Sequence, residues 1–449
     1  MSPQDRFNLL FKMRQWIFTS IGLLSFFLPL FSAIPEENEL IIASPHWEGI
    51  QKEFTHAFQQ HYLQLQGKPI SVRWRDMGGT SQIEKNVNAL YSKNRNTCGM
   101  DLLWGGGLDP FENQKNKGQL APYFLSEKIA NSFPKELNGL PLQDPEGNYY
   151  ATALSTFGIF ENLTLSKLKK LPPVQQWEDL AQPEFKGLLS LVEPRKSGSA
   201  HMIYEIILQS YGWEKGWSIL IRMAANAKTF SQNPAVSTKE VALGNASHAL
   251  SIDLNALALQ SVLGADKVRY LYPKNQSILI PDGIALFKGA PHLEAAQCFI
   301  DFVLSEKGQS LWVNAIGELN GATHYGITRI PVLPSLQSKS TLLQQIDPSL
   351  LTAPPAFLYN SPLASKRWTA LNELMGRSLI DPHSELKKAW ADYLALSPEQ
   401  KLKSDFLTPL ISEIEFEASW PLWKSDRLHA EKIGEKWRKK ASLRYQSIK

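Results

Sequence analysis

The sequence predicts an α/β protein of two lobes, which a double-crossing hinge joins, followed by a helical C-terminal extension. Strand and helix patterns alternate from residue 40 onward, an order typical of parallel sheets covered by helices. A long extended stretch over residues 151–162 opens a second such series, and another over residues 278–287 leads back to the first. From Pro331 onward, prolines interrupt the chain before three further helical patterns follow.

The first lobe begins with a βαβαβ series. Residues 40–44, 70–75 and 101–104 are predicted strands, and residues 47–65 and 80–91 are predicted helices. Thr80 or Ser81 is expected to cap the second helix. Ligands of parallel sheets bind beyond the carboxyl ends of the strands. Those ends are residues 44–47, 76–81 and 104–109, so we expect the ligand there.

The second lobe is predicted as an insertion into the first. Its strands are residues 188–192, 249–253 and 268–272, and its helices are residues 199–211, 214–225, 234–243 and 255–263. A long amphipathic helix over residues 292–312 returns the chain to the first lobe. We therefore place the first lobe at residues 34–157 and 275–340, and the second at residues 158–274. Two lobes with two crossings form a cleft that can close on a ligand.

The C-terminal extension, residues 341–449, is expected to pack on the first lobe. Its helical patterns cover residues 364–380, 384–396 and 426–445. Residues 424–449 contain nine Lys or Arg against three Asp or Glu, and Leu428, Trp437, Ala441 and Tyr445 form one apolar face. We expect a solvated terminal helix, with electrostatic contact to an anionic membrane or a permease as the alternative.

Composition excludes several classes of protein. With 449 residues, 43% hydrophobic and 20% charged, the chain is neither collagen-like, nor a coiled coil, nor largely disordered. Two cysteines exclude a disulfide-dense scaffold and a multi-cysteine zinc framework. A net charge of +4 is too even to indicate nucleic-acid binding.

The N-terminus has the pattern of an export signal. Lys12 and Arg14 precede an apolar run over residues 16–30, which is shorter than a transmembrane helix requires. We expect residues 1–33 to be a signal peptide and the protein to be periplasmic, with an uncleaved anchor as the alternative. Export would allow a disulfide between Cys98 and Cys298, although two separate thiols remain open.

Five segments carry a resemblance to a known family. They are DMGGTSQIEKNV (76–87), DLLWGGG (101–107), EPRKSGSAH (193–201), LSIDLNALA (250–258) and PDGIALFKGAPHLEAAQCFIDFVLSEKGQSLW (281–312). In order and spacing they resemble the extracellular solute-binding proteins of ABC transporters. The nearest branch includes iron(III), thiamine and phosphonate receptors.

This resemblance implies the type 2 periplasmic-binding fold and a monomer that binds without chemistry, cofactor or nucleic acid. Its partners would be a small ligand and an ABC permease in the inner membrane. The G-x-S-x-G, H-E-x-x-H, Walker and G-x-G-x-x-G motifs are absent from the sequence, which agrees with a binding protein.

Two turns that open helices are the strongest candidate anion sites. Gly79, Thr80 and Ser81 stand at one of them, and Ser197, Gly198 and Ser199 at the other, one in each lobe. Backbone N–H groups, hydroxyls and helix dipoles at both turns would grip one anionic group. Plain helix capping is the alternative at each turn.

Asp253 and Asn255 occupy the region where the resembled iron receptors carry a pair of tyrosines. Without phenolates, iron(III) is in doubt, and we assign no metal ligand. Asp253 can accept a hydrogen bond from an ammonium or hydroxyl group, or can cap the following helix.

The other candidate ligand contacts lie at the ends of strands. His46 could donate to an anion, and Trp47 and Trp104 could form cleft walls or pack its floor. Asp282 could contact the ligand or serve its own turn. The remaining candidates are Ser44, Gly105, Gly106, Ser155 and Thr156, the last two on the first crossing strand.

The sequence thus predicts a periplasmic receptor of an ABC importer that captures a small anionic or zwitterionic ligand by hinge closure. A membrane-held ligand sensor that feeds a signalling partner, and an iron(III) receptor, are the alternatives.

Overall fold

The structure, a computed structural model, describes residues 38–448 except 138, 274, 347–350 and 352–356. The predicted signal peptide and the alternative anchor lie outside these residues. The fold has the predicted α/β class, with two sheets that share a strand and a helical C-terminal extension. No helix in the described ranges is long and apolar enough to cross a membrane.

The strands follow the predicted order along the chain. They are β1 (Glu39–Ala43), β2 (Ser71–Arg75), β3 (Leu102–Trp104), β4 (Leu120–Ala121), β5 (Glu136–Leu137), β6 (Leu140–Pro141), β7 (Tyr150–Asn162), β8 (Leu189–Val192), β9 (Ala227–Ser231), β10 (His248–Ile252), β11 (Val268–Leu271) and β12 (Leu279–Phe287).

One long strand, β7, belongs to both sheets. Its first half pairs with β12 in the sheet of the first lobe, where the order is β2-β1-β3-β12-β7. Its second half pairs with β10 and β11 in the sheet of the second lobe. All thirteen residues of β7 are buried. The crossing between the lobes is therefore a continuous strand inside the protein rather than a surface linker.

The first lobe has helices on both faces of its sheet. They are α1 (Glu48–Gln66), α2 (Thr80–Lys93), α3 (Asp109–Asn116) and α4 (Glu127–Ala130), with α10 (Leu293–Leu304), α11 (Glu306–Ser310), α12 (Pro334–Gln337) and α13 (Thr341–Ile346) after the second crossing. Leu40 and Ile42 of β1 face one apolar core, while Ile41 and Ala43 face another. This alternation is what a strand buried on both sides requires.

The predicted helix over residues 292–312 is interrupted. Ser305 has an extended backbone between α10 and α11, and its hydroxyl caps α11 by accepting a hydrogen bond from Gly308 N at 3.2 Å. A serine that competes for the backbone in this way ends one helix and begins another. The single long helix expected from the apolar periodicity is therefore wrong at this point.

The second lobe contains α5 (Leu163–Lys169), α6 (Gly198–Tyr211), α7 (Trp213–Asn226), α8 (Pro234–Ala242) and α9 (Asp253–Leu263). The C-terminal extension contains α14 (Ser361–Met375), α15 (His383–Ala395), α16 (Pro398–Lys403), α17 (Glu413–Ser419), α18 (Leu422–Ser425) and α19 (Arg427–Ser447). A π-helical turn, Gly376–Ile380, follows α14.

The extension shares its core with the second lobe, whereas the sequence led us to expect it on the first. Trp390, Phe416 and Trp437 belong to the same buried cluster as Trp213 and Trp217 of α7. Trp437, Ala441 and Tyr445 are buried as the apolar face of α19, but Leu428 is 69% exposed. The amphipathic patterns were correct, but they do not specify which lobe covers them.

A buried ion pair also fixes the extension to the second lobe. Arg367 of α14 donates from Nη2 to Oε1 of Glu205 in α6 at 2.6 Å, and from Nε to Oε2 at 3.0 Å. Both side chains are almost completely buried.

The extension reaches the first lobe through a smaller polar contact, which we call the outer junction. Asp109 of α3 accepts hydrogen bonds from Tyr359 Oη at 2.8 Å and from Ser361 Oγ. Ser365 Oγ donates to Asn113 Oδ1 at 2.7 Å.

Cys98 and Cys298 are separate thiols in this structure. Cys98 is buried and Cys298 is half-buried, so of the two possibilities left open by the sequence the structure has the unpaired one.

Candidate ligand-binding cleft

The N-termini of two helices from different lobes meet at the cleft. Gly79 is the N-cap of α2, and Ser197 is the N-cap of α6, where its Oγ accepts a hydrogen bond from Ala200 N at 3.2 Å. A Cβ atom added to Gly79 would lie 2.6 Å from the carbonyl oxygen of Lys196. The two lobes therefore touch at these turns, and the close approach requires glycine at position 79.

The cap of α2 differs from the prediction, which favoured Thr80 or Ser81. Gly79 takes that place because a side chain would strike the Lys196 backbone. Thr80 instead fills the space between the two turns. A Cβ on Gly198 would lie 2.8 Å from Thr80 Cβ, and one on Gly106 would lie 2.4 Å from Thr80 Oγ1.

The four predicted hydroxyl residues at these turns have different settings. Thr80 stands between the lobes, and Ser199 Oγ lies 3.1 Å from Ser197 Oγ. Ser81 is buried and borders a separate cavity between α2 and α14. The structure therefore brings Thr80, Ser197 and Ser199 together and places Ser81 next to the C-terminal extension.

A buried charged cluster forms the floor of the cleft in the first lobe. His46 Nε2 lies 3.0 Å from Asp282 Oδ2, and Arg329 Nη1 donates to the same carboxylate oxygen. Arg329 Nη2 also donates to Ser155 Oγ on the crossing strand β7. Gly106 N donates to the other oxygen of Asp282 at 2.5 Å.

The cluster keeps Asp282 ionised despite its burial. Burial would raise the pKa of Asp282, but the Arg329 charge and the His46 hydrogen bond outweigh it and hold the pKa far below its usual range. Burial lowers the pKa of His46, and the bond to Asp282 offsets part of that effect. Both carboxylate oxygens of Asp282 thus have hydrogen-bond partners in the first lobe, and Arg329 is the cation of the cluster.

Asp253 links the second lobe to the crossing strand. It is the first residue of α9 rather than the last of the preceding strand, and Ile252 is the N-cap. Its Oδ2 accepts hydrogen bonds from Thr156 N at 2.6 Å and from Thr156 Oγ1 at 3.0 Å, while Oδ1 accepts from Leu254 N at 2.6 Å. Burial raises the pKa of Asp253 to about 6, and the nearby Arg329 charge opposes this rise.

The remaining predicted residues fall into different environments. Trp104 lies in the core of the first lobe instead of on a cleft wall, where it is fully buried and its Nε1 donates to Thr152 Oγ1 at 2.9 Å. Trp47 is 41% exposed beside Tyr325. Ser44 Oγ accepts a hydrogen bond from His46 N at 3.1 Å, and Asn255 is half-buried on α9. Gly105 N donates to the backbone oxygen of Gly283 at 2.8 Å.

Arg329 is the site residue that the sequence analysis missed. Its side chain is 2% exposed, and the residues that it contacts are distant along the chain. The available signal was a single cation between the apolar residues Ile327 and Ile330, both of which are buried. Such a cation needs a buried partner, but the sequence does not say which one.

Comparison with known proteins agrees with this fold. Residues 106–326 match the family model described as bacterial extracellular solute-binding protein. The resemblance predicted from the sequence is thereby confirmed. A curated relative is the phosphoglycerate transport regulatory protein PgtC of Salmonella typhimurium, 26% identical over 328 residues, which are 72% of this chain and 74% of that protein.

Solved structures with the solute-binding fold cover most of the chain. The periplasmic binding protein P5PA matches with a TM-score of 0.63 and 21% identity, over 76% of this chain and 99% of its own. AfuA from Actinobacillus pleuropneumoniae, with exogenous fructose-6-phosphate bound, matches with a TM-score of 0.59 and 19% identity, over 80% and 99%. Iron-bound HitA from Pseudomonas aeruginosa matches with a TM-score of 0.57 and 20% identity, over 75% and 99%.

The matching family model and the solved structures with this fold are those of binding proteins. They also suggest a periplasmic location and a transporter as partner. In residues 38–448, as far as they are described, no group of three or more His, Cys, Asp or Glu side chains could hold a metal ion.

Proposed function

We propose that the protein is the periplasmic receptor of an ABC importer and captures a small phosphorylated or otherwise anionic solute between its lobes. The observation that carries this proposal is the meeting of the α2 and α6 N-termini at Gly79 and Lys196. Each N-terminus carries a partial positive charge of about +0.5. Two such ends repel each other unless an anion lies between them, so an anionic ligand would stabilise the closed lobes.

Hydroxyl and cationic groups supplement the two helix ends. Thr80, Ser197 and Ser199 supply hydroxyls, and Arg329 supplies a buried positive charge at the crossing. Asp253 would receive any amine or hydroxyl of the ligand on the second-lobe side, in competition with Thr156. The predicted contacts at Ser44, His46, Trp47, Gly105, Gly106, Ser155, Asn255 and Asp282 remain part of the proposal as the cleft floor and rim.

The descriptions of one curated relative and of one similar solved structure favour a phosphorylated ligand. PgtC is described as a phosphoglycerate transport regulatory protein, and AfuA contains fructose-6-phosphate. We accordingly place 3-phosphoglycerate and fructose 6-phosphate first among the ligands to test, and iron(III) last, because Asp253 and Asn255 stand where the resembled iron receptors have tyrosines.

The test is a calorimetric and thermal-shift measurement with 3-phosphoglycerate, fructose 6-phosphate, iron(III) and neutral amino acids. A phosphorylated ligand at 100 times its Kd should stabilise the native state by about 2.7 kcal/mol. Binding of iron(III) alone, with every phosphorylated compound silent, would contradict the proposal.

A pair of capping variants shows whether the helix ends carry the binding. Ser197→Ala should weaken binding of the phosphorylated ligand at least tenfold. Ser412→Ala removes a serine cap of similar kind from α17, outside the cleft, and serves as the matched control. Each variant loses about 1 kcal/mol of stability. Equal affinities of the two variants would remove the α6 N-terminus from the site.

A sensor role is the second candidate, because PgtC is described as regulatory. A receptor of an importer should stimulate ATP hydrolysis by its permease in proteoliposomes when ligand is present. A sensor should instead co-purify with a membrane signalling protein and leave ATP hydrolysis unchanged.

A further inference from the structure

A cavity of about 520 Å³ lies between the first lobe and the C-terminal extension and reaches Ser81 in the first turn of α2. Helix α2 and the loop after α3 form one side, and α14 together with Trp423 forms the other. A second cavity of about 300 Å³ continues along α3 and shares Asn113, Lys117 and Ser365 with the first. Sites for small molecules typically have volumes of roughly 300–1,000 Å³.

The walls of the larger cavity are rich in groups that both donate and accept hydrogen bonds. Four side-chain amides line it: Asn88, Asn113, Gln119 and Asn372. Serine and threonine hydroxyls from α2 and α14 lie among them. Amides and hydroxyls offer donors and acceptors together, which suits a partner that also carries both.

The charged residues of the cavity largely neutralise one another. Lys117 Nζ lies 3.2 Å from Glu84 Oε1, and Glu373 pairs with Arg377 at 3.4 Å. The remaining cation of the lining, Lys85, is exposed to solvent. Because the pairs already balance, the interior of the cavity does not favour a charged ligand.

Unpaired polar atoms concentrate in the walls of this cavity. Ser81 Oγ, Gln119 Oε1, Trp368 Nε1 and Trp423 Nε1 are buried without a hydrogen-bond partner in the described part of the chain. All four residues line the cavity. Buried polar groups are nearly always paired in folded proteins, so each such atom requires an explanation. Small shifts of these side chains would let a bound polar molecule satisfy them.

We propose that the cavity is a second binding site, for a small uncharged molecule that carries several hydroxyl groups, such as a monosaccharide or a polyol. Indole edges, amides and hydroxyls around a charge-balanced space provide the donors and acceptors that such a molecule needs. This site differs from the one proposed for the anionic ligand, because Ser81 is the only predicted cleft residue that lines the cavity.

The test uses isothermal titration with glucose, maltose and mannitol as uncharged probes, and with gluconate and glucosamine as charged ones. Thr369 is an exposed residue of α14 that lines the cavity. Thr369→Trp should fill the space and weaken binding of an uncharged probe at least tenfold. Ser384→Trp places the same side chain at an exposed position of α15 and should leave binding unchanged.

A second variant distinguishes the loss of hydrogen bonds to the probe from the filling of the cavity by a larger side chain. Gln119→Leu keeps the size of the side chain but removes its polar atoms, and should weaken binding several-fold. The proposal would be overturned if no uncharged probe binds, or if Thr369→Trp binds an uncharged probe as well as the wild type. It would also be overturned if the charged probes bind more tightly than the uncharged ones and Thr369→Trp abolishes that binding. Titration of Thr369→Trp with 3-phosphoglycerate reports on the cleft alone, so failure of one proposal is distinguishable from failure of the other.

Discussion

Two polar junctions of the first lobe hold buried carboxylates in opposite ways. At the inner junction, Asp282 of β12, beside the crossing strand β7, is paired with Arg329 and His46. At the outer junction, Asp109 is fully buried and accepts hydrogen bonds from the hydroxyls of Tyr359 and Ser361.

The difference in partners sets the charge of each junction. Arg329 holds the pKa of Asp282 well below its usual range, so the inner junction is ionised at neutral pH. Burial raises the pKa of Asp109 to about 7; the two hydroxyl donors oppose this rise, and the negative charges of Glu205 and Glu112 add to it. The inner junction is therefore a fixed ion pair, whereas the outer junction changes its protonation near neutral pH. Burial alone does not decide the charge of a carboxylate.

The largest effect is expected from removing the cation of the inner junction. Arg329→Met leaves Asp282 as a buried charge without its main partner, which should lower the free energy of unfolding by about 3–5 kcal/mol. Urea denaturation measures this loss. Arg73→Met breaks the exposed pair with Glu39 and should cost at most about 1 kcal/mol. The double variant Asp282→Asn with Arg329→Met should recover part of the loss, and a single variant no worse than Arg73→Met would contradict the role of Arg329.

A pH-dependent effect is expected at the outer junction. Because the folded-state pKa of Asp109 is raised, its contribution to stability is full below about pH 4 and is lost as the pH rises to about 7. Moving a pKa from near 4 to near 7 corresponds to about 4 kcal/mol. Asp109→Asn should abolish this loss, so the variant should gain stability relative to the wild type between pH 4.5 and pH 8. Parallel pH profiles of the two proteins in urea denaturation would show that Asp109 does not titrate in this range.

The smallest effect is expected from one hydroxyl of the outer junction. Tyr359→Phe removes one donor to Asp109 while Ser361 keeps the other, and should cost about 1 kcal/mol. Thr156→Val removes a comparable hydroxyl bond from the crossing strand β7 to Asp253 and serves as the matched variant. Urea denaturation of both variants at pH 6 shows which hydroxyl contributes more to the free energy of unfolding. A cost for Tyr359→Phe equal to that of Arg329→Met would mean that the outer junction is as strong as the inner one.

Local patterns in the sequence predicted most elements, because strand alternation and helix periodicity depend on nearby residues. The three strands β1, β2 and β3, the crossing strand β7 and the helix α6 all lie within a few residues of their predicted positions. The break at Ser305 was not predicted, although a serine followed by Glu306 and Gly308 is a helix-start pattern. The strong apolar period on both sides concealed it.

Contacts between distant residues were much harder to predict. Arg329 is 283 residues from His46 and 47 from Asp282 in the sequence. Nothing near Arg329 identifies those partners. The packing of α14, α15 and α19 on the second lobe was not predicted for the same reason. An apolar helix face indicates burial but not the surface that covers it. Gly79 was predicted at a site turn, but the approach of Lys196 that requires it comes from the other lobe.

The sharing of one core by the second lobe and the C-terminal helices has a consequence for how the chain folds during synthesis. The core of the second lobe includes Trp437, Ala441 and Tyr445, which are synthesised after both lobes. The core of the first lobe includes Ile284 and Ile330, which follow the whole inserted lobe. Domains of many proteins fold in order as they leave the ribosome. In this chain neither hydrophobic core can be completed early, so we expect folding to be a late and cooperative event that removal of α19 would prevent.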